Sequence, residues 1–225
     1  RTGEVMRQVR AAGFETGIHC WDHVYWQDHV AGADREWTVH QMRKAVERYT
    51  EIFGAAATVH GAAGWQMNSH ALRLTAELGF TGCSDARGTH PFLPVVDGEA
   101  IRCPQFPTTL PTLDERIGLN GVTPANVADH LLAMTATAPI TGHVFTLHAE
   151  LEGMKFLPVL DHLLGGWRDQ GYHLGAVRTL AGKVALDALP RHRVDYGTVP
   201  GRTGMLLTQG PAAYAPTYPL ENMRC

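Results

Sequence analysis

No run of uninterrupted apolar residues approaches the roughly 18 needed to cross a bilayer, so the 225-residue chain carries no signal for a membrane-spanning helix. Cysteine is scarce. Cys20, Cys83, Cys103 and Cys225 form no CxxC pair, which excludes a disulfide framework and a thiolate zinc module and fits a reducing compartment. No basic block is present and the formal charge is −3, so there is no electrostatic footprint for nucleic acid. Internal repeats and domain-splitting linkers are also missing. The chain opens at Arg1 and not at Met, already within a helical pattern and with no signal peptide, and reads as a fragment of a longer protein. Its 44% hydrophobic and 18% charged residues are those of an ordinary globular protein, long enough for one well-buried core.

Histidine, by contrast, is abundant, with 13 residues. The most informative stretch is His19-Cys20-Trp21-Asp22-His23, introduced by Gly17-Ile18. On a helical turn or a tight loop, residues four apart project from one face and can reach a single divalent ion. Alone, such a pair is more often surface or core histidines than a metal site. The apolar lead-in Phe14–Ile18 reads as a strand that delivers the pair to its C-terminal end, where ligand-binding residues of α/β folds collect.

Helical and strand periods alternate along the chain. Helices are expected over Arg1–Ala12, Trp37–Phe53, Ser69–Leu78 with Asn68 as cap, Ala125–Thr135 behind Thr123-Pro124, Lys155–Gln170, and Thr179–Leu189. Strands are expected over Phe14–Ile18, Ala56–His60, Phe80–Ser84, Ala100–Phe106, His143–His148 and Tyr172–Val177. Such alternation predicts an α/β fold with a parallel sheet or barrel. The domain is expected over residues 1–205, with 206–225 an irregular tail.

Three further strand ends carry polar groups. Gly61-Ala62-Ala63-Gly64-Trp65-Gln66 lets backbone approach a ligand, or packs a helix closely on a sheet. Ser84-Asp85-Ala86-Arg87-Gly88 is either a functional pair or a turn-stabilising one. His148 closes an apolar strand, as a satisfied core histidine would.

Taken together, these segments resemble the polysaccharide deacetylase (NodB-homology) family of metal-dependent carbohydrate amide hydrolases. The resemblance runs from about Gly13 to Gly204 and is greatest to the family's 4-deoxy-4-formamido-L-arabinose-phosphoundecaprenol deformylase branch. It rests on Gly17–His23, Ala63-Gly64-Trp65, Ser84–Gly88 with Pro91-Phe92, Pro107–Thr112 with Asp114-Glu115, and Thr146–Glu150 with Glu152-Gly153.

The resemblance implies a distorted (β/α) barrel, here lacking its first strand. It makes His19 and His23 two ligands of one divalent metal ion, Zn2+ by preference, that polarises the amide and acidifies water. His148 becomes the general acid on the leaving nitrogen, with Asp85 as the carboxylate favouring its protonated form. Trp65, Gln66, Arg87, Leu147 and Glu150 become substrate-binding residues, Leu147 lining a small acyl pocket. The third metal ligand and the general base belong to an Asp-x-Asp element expected upstream of Arg1. Where the family carries an arginine after Gly-Trp, this chain has Gln66, which supplies a hydrogen bond but no charge.

In that branch the reaction modifies lipid A, lowers its negative charge and gives resistance to cationic peptides such as polymyxin. The implied partner is a lipid-linked aminosugar, met peripherally at the cytoplasmic face of the bacterial inner membrane, with Pro91–Val96 as the loop touching lipid. Alternatives are deacetylation of another N-acylated sugar, a non-catalytic metal- or sugar-binding relative, and an iron oxygenase with two histidines and a carboxylate.

Overall fold

The computed structural model describes residues 2–213. Eight α-helices occur among them: α1 (Thr2–Ala11), α2 (His23–His29), α3 (Arg35–Phe53), α4 (Ser69–Glu77), α5 (Leu113–Arg116), α6 (Val127–Met134), α7 (Leu157–Asp169) and α8 (Val177–Ala181). Six strands accompany them: β1 (Val59–His60), β2 (Gly82–Cys83), β3 (Leu93–Val96), β4 (Glu99–Ala100), β5 (Arg191–Gly197) and β6 (Leu206–Ala212).

Helix boundaries follow from side chains that satisfy the first free N–H groups. Asp34 accepts from Trp37 N at 2.8 Å to start α3, which Gly54 ends in the left-handed conformation at φ 63°. Asn68 accepts from Ala71 N at 2.8 Å to start α4. Its amide also donates to the Val30 carbonyl and to Thr38, locking α4 against α3. Two apolar clusters form. The larger joins α3 and α4 to the sheets through Met42, Tyr49, Leu72, Phe80 and Phe92. The smaller packs α6 on α7 through Val127, Leu131, Leu163 and Trp167.

β1 and β2 are parallel, and isolated parallel bridges widen them on both sides, Ile18 to His60 and Cys83 to Gln105. Four parallel tracks thus end together, at His19, Gly61, Ser84 and Phe106. The second sheet runs β4-β3-β5-β6, with β3 and β5 parallel and the other pairs antiparallel. The protein is therefore mixed α/β.

Several expectations need correction. No strand is expected after Tyr172–Val177, yet β5 and β6 lie there, and the tail expected from residue 206 begins instead as a strand whose Leu206 and Leu207 are buried. The remainder of that tail, from 214, lies outside the described residues. Pro91–Val96, assigned to lipid contact, is mostly β3, with every side chain from Phe92 to Val96 in the interior. Its apolar residues meet protein, and nothing of them is offered to a membrane. His143–His148 and Tyr172–Val177 run without regular strand pairing. Val144 bonds only to the Thr109–Leu110 side, and a half-paired segment builds no regular ladder.

Candidate functional site

Where the parallel tracks end, a cleft of about 560 Å³ opens, lined by His19, His23, Trp65, Asp114, Leu147, His148, Glu150 and Arg202 among others. The histidine pair is not the single helical face that its spacing suggests. Asp22 caps α2 by accepting from Tyr25 N at 2.9 Å, so His23 is the first helical residue and His19 belongs to the strand end before it. The turn between them, with Cys20 at φ 60°, still brings the ring centroids to 5.1 Å.

His19 Nδ1 lies 2.7 Å from the Gly61 carbonyl oxygen, so it carries the proton and Nε2 keeps its lone pair. Burial lowers the His19 pKa, partly offset by that hydrogen bond, which favours the neutral, ligand-competent ring. These features fit a divalent ion held by His19 and His23. Among the described residues, one group of three donor side chains lies within 4.8 Å, and it is a different one, His60, Cys83 and Asp85.

That trio is closed to solvent, and two of its members are already bonded to each other. His60 Nδ1 is 2.7 Å from Asp85 Oδ1, with side chains 1% and 0% exposed. Asp85 also accepts from Ala62 N and Gln105 Nε2, each at 2.9 Å. Burial pulls the His60 pKa down, but the Asp85 charge and hydrogen bond outweigh it, aided by the Cys20 thiol, and raise it to about 10. Asp85 is thus a support beneath the cleft, not the partner of His148.

The carboxylate that faces His148 is Asp114, its Oδ1 3.8 Å from Nδ1, with both side chains reaching solvent. Glu152 is fully buried and accepts from the His148 backbone N–H at 2.7 Å, which fixes the turn that presents the imidazole. Sequence spacing hid Asp114 because it comes from α5, thirty-four residues before His148. Its signal was the Asp114-Glu115 pair following Pro107–Thr112.

Arg87 is withdrawn from the cleft. Its guanidinium donates to Glu115 Oε1 at 2.6 Å and to the Leu110 carbonyl at 3.1 Å. Glu115 also accepts from Thr112 N, closing the capping box that starts α5. Two guanidinium groups approach the Trp65 ring, Arg87 at 4.8 Å and Arg202 at 4.7 Å from its centre. Its Nε1 donates to Thr108. Trp65 is thereby fixed, with one edge lining the cleft. Gln66 is turned aside, its Nε2 donating to the Met205 carbonyl at 2.6 Å. Of the expected residues the structure brings together His19, His23, Trp65, Leu147, His148 and Glu150. It leaves Asp85, Gln66 and Arg87 outside, and adds Asp114 and Arg202.

No family model matches the chain. Two curated proteins are each 28% identical to it, both named ArnD, 4-deoxy-4-formamido-L-arabinose-phosphoundecaprenol deformylase. The one from Wigglesworthia glossinidia brevipalpis aligns over 196 residues, 87% of this chain and 68% of its own length. The one from Shewanella sediminis aligns over 167 residues, 73% of this chain and only 52% of its own length. Among solved structures, a polysaccharide deacetylase of Mycobacterium smegmatis superposes with a TM-score of 0.60 at 21% identity, covering 80% of this chain and 66% of the other. One from Pseudomonas aeruginosa PAO1 gives 0.58 at 21% identity, covering 80% and 62%. The PuuE allantoinase gives 0.59, also at 21% identity and with the same coverage. By sequence this chain is similar to the two ArnD deformylases, and its fold is similar to that of the polysaccharide deacetylases.

Proposed function

We propose that the protein is a metal-dependent amide hydrolase that removes the formyl group from a 4-formamido sugar carried on a polyprenyl phosphate. The observation that carries this reading is that His19, His23 and His148 line one cleft, with Asp114 Oδ1 3.8 Å from His148 Nδ1. The names of the two curated relatives support the substrate. The NodB-type solved structures support the reaction class and a barrel as the scaffold.

A divalent ion held by His19 and His23, zinc by preference, supplies Lewis-acid polarisation of the formyl carbonyl and makes water more acidic. Water adds to the formyl carbon, the C–N bond breaks, and formate and a free amine leave. His148 delivers the proton to the departing nitrogen, and Asp114 orients the ring and stabilises its cationic form. The Glu152 contact to its backbone keeps that donor in place.

Leu147, at the cleft wall, limits the acyl group to a small one. Arg202, partly freed from Glu115 at 3.6 Å, offers its charge to the phosphate of the carrier. The described carboxylates of the cleft, Asp114 and Glu150, do not make a three-donor set with His19 and His23. We assign the third ligand and the general base to the Asp-x-Asp element that the resemblance places upstream. A lipid-linked substrate puts the work at the inner face of the bacterial inner membrane, where loss of formyl exposes an amine that lowers the negative charge of lipid A. None of the described helices is long and apolar enough to cross a membrane.

The full-length protein, assayed on matched formyl and acetyl aminosugar lipids, is expected to release formate and spare the acetyl substrate. Leu147→Ala should narrow that preference, a change of about tenfold or more being normal for one pocket side chain. His19→Ala should lose the ion, and His148→Ala should keep it while turnover falls by about 10²–10⁴. Equal turnover of both acyl groups would replace deformylation with deacetylation. An ion retained in His19→Ala would remove the metal assignment.

A further inference from the structure

A second imidazole pair lies outside the cleft. His192 sits on β5 between Pro94 of β3 and Ala212 of β6, and His90 sits in the turn leading to β3. Their Nε2 atoms are 3.3 Å apart, with ring centroids at 5.1 Å and planes at 71°.

The surrounding hydrogen bonds fix both tautomers. Thr89 N donates to Gln209 Oε1 at 2.8 Å, which leaves the Gln209 amide nitrogen to face His90 Nε2 at 3.0 Å. His90 Nε2 therefore accepts, and its proton is on Nδ1, which donates to Thr89 Oγ1 at 2.8 Å. Thr89 in turn donates to Gln209 Oε1, closing the ring of bonds. On the other side His192 Nδ1 donates to the Gly210 carbonyl at 2.8 Å, so its Nε2 is also a bare lone pair. The single His90 Nε2 lone pair is taken by Gln209, so both nitrogens open toward one shared cation only when the Gln209 amide turns away.

Two cations can fill that place, a proton or a metal ion. The spacing suits the metal. Two nitrogens bound about 2.05 Å from one ion at the tetrahedral angle stand about 3.3 Å apart. Each outer nitrogen is already held by a carbonyl or hydroxyl oxygen, the arrangement that orients imidazole ligands. Both rings are only partly buried, so an ion can enter from solvent.

We propose that His90 and His192 form a two-imidazole site for a divalent transition ion such as Zn2+, separate from His19 and His23. Water completes the coordination, and Gln209 gives up its hydrogen bond to the His90 lone pair. The ion would tie the 87–92 turn to β5. That turn already bonds β6 through Arg87 N to Leu207 O and Gln209 N to Arg87 O. It also carries Arg87, which holds Glu115 and Trp65, so the clamp would stiffen the floor of the cleft.

The test is calorimetric titration with Zn2+ of the whole protein carrying His19→Ala and His23→Ala, which removes the cleft ligands. One ion per chain should still bind, and the thermal midpoint should rise with it, because only the folded state offers the site. Adding His90→Met or His192→Gln should abolish both effects, and Gln209→Leu should keep or strengthen binding because the competing donor is gone. Circular dichroism identifies any variant that fails to fold. For those, Co2+ absorption in the His19→Ala/His23→Ala protein reports imidazole coordination directly, and its suppression by diethyl pyrocarbonate modification of His90 and His192, located by mass spectrometry, replaces the variant. Absence of the ion from the His19→Ala/His23→Ala protein, or its persistence in folded His90→Met, overturns the proposal.

Discussion

Asp85→Asn tests how the cleft is supported. The carboxylate receives three donors, His60 Nδ1 at 2.7 Å, Ala62 N at 2.9 Å and Gln105 Nε2 at 2.9 Å, in a fully buried setting. Asparagine can turn its Oδ1 to His60 and Ala62, but its Nδ2 then meets the Gln105 amide donor, and Gln105 cannot flip because its Oε1 accepts from residue 85 N at 3.0 Å. The His60 proton also loses the charge that holds it. Raising a pKa from 6.5 to about 10 corresponds to about 5 kcal/mol in favour of the charged ring. Breaking a buried pair by removing one partner costs about 3–5 kcal/mol. The expected loss is therefore about 3–5 kcal/mol, read by urea unfolding at pH 6.5.

The pH dependence has a definite sign. His60 has a raised folded pKa, so its stabilisation is complete below pH 6.5 and is lost as pH rises through about 10. The gap between wild type and Asp85→Asn should narrow as pH rises through about 10, leaving the pH-independent cost of the orphaned Gln105 donor. Because Asp85 also fixes Ala62, next to the Gly61 carbonyl that orients His19, ion affinity should fall by about 10–100-fold. A loss under about 1 kcal/mol, or a gap unchanged from pH 6.5 to 10, would refute the reasoning.

Glu115→Gln strips the charge from a buried carboxylate that Arg87 and Arg202 share at 2.6 and 3.6 Å, and should cost about 3 kcal/mol in urea unfolding. Gly201→Ala should lower the thermal midpoint more than Gly142→Ala. Both glycines have positive φ, at 85° and 68°, which costs a Cβ-bearing residue about 1–2 kcal/mol, but only at Gly201 would the new Cβ strike the Glu115 carbonyl. Asp114→Asn should reduce kcat by less than the roughly 10²–10⁴ that His148 supplies, with KM and ion content unchanged and partial rescue by Asp114→Glu. A raised KM would make Asp114 a substrate contact instead.

The reading from sequence succeeded where information is local. Asn68 caps the helix that follows it and Gly54 ends another, so the start of α4 and the end of α3 were legible from single positions, whereas the Asp34 cap was not read and α3 begins at Arg35, before the expected Trp37. The parallel tracks were legible because small and apolar residues precede each polar strand end. What could not be read is which polar residues at those ends meet one another. Asp85 and Arg87 lie two apart, yet Asp85 reaches back to His60 while Arg87 reaches forward to Glu115. No periodicity encodes that choice. β5 and β6 were missed for a related reason: the outer stretch alternates exposed charge with half-buried side chains, and β6 carries Gly210 and Pro211 near its end.

Burial divides the acids around this cleft into two kinds. Asp85, Glu115 and Glu152 are each 0% exposed, and each spends its charge on protein donors: His60 and Ala62, Arg87 and Thr112, and the His148 backbone. Each therefore fixes one wall, the His19 side, the Trp65 side and the His148 side. Asp114 and Glu150 alone among the described cleft acids reach solvent and so can answer to a ligand's charge. Removing a buried acid should therefore appear first in folding and only then in turnover, because the wall must move before the chemistry does. Removing an exposed one should reverse that order, since water can solvate the vacated position while the reacting nitrogen and its proton donor lose their alignment.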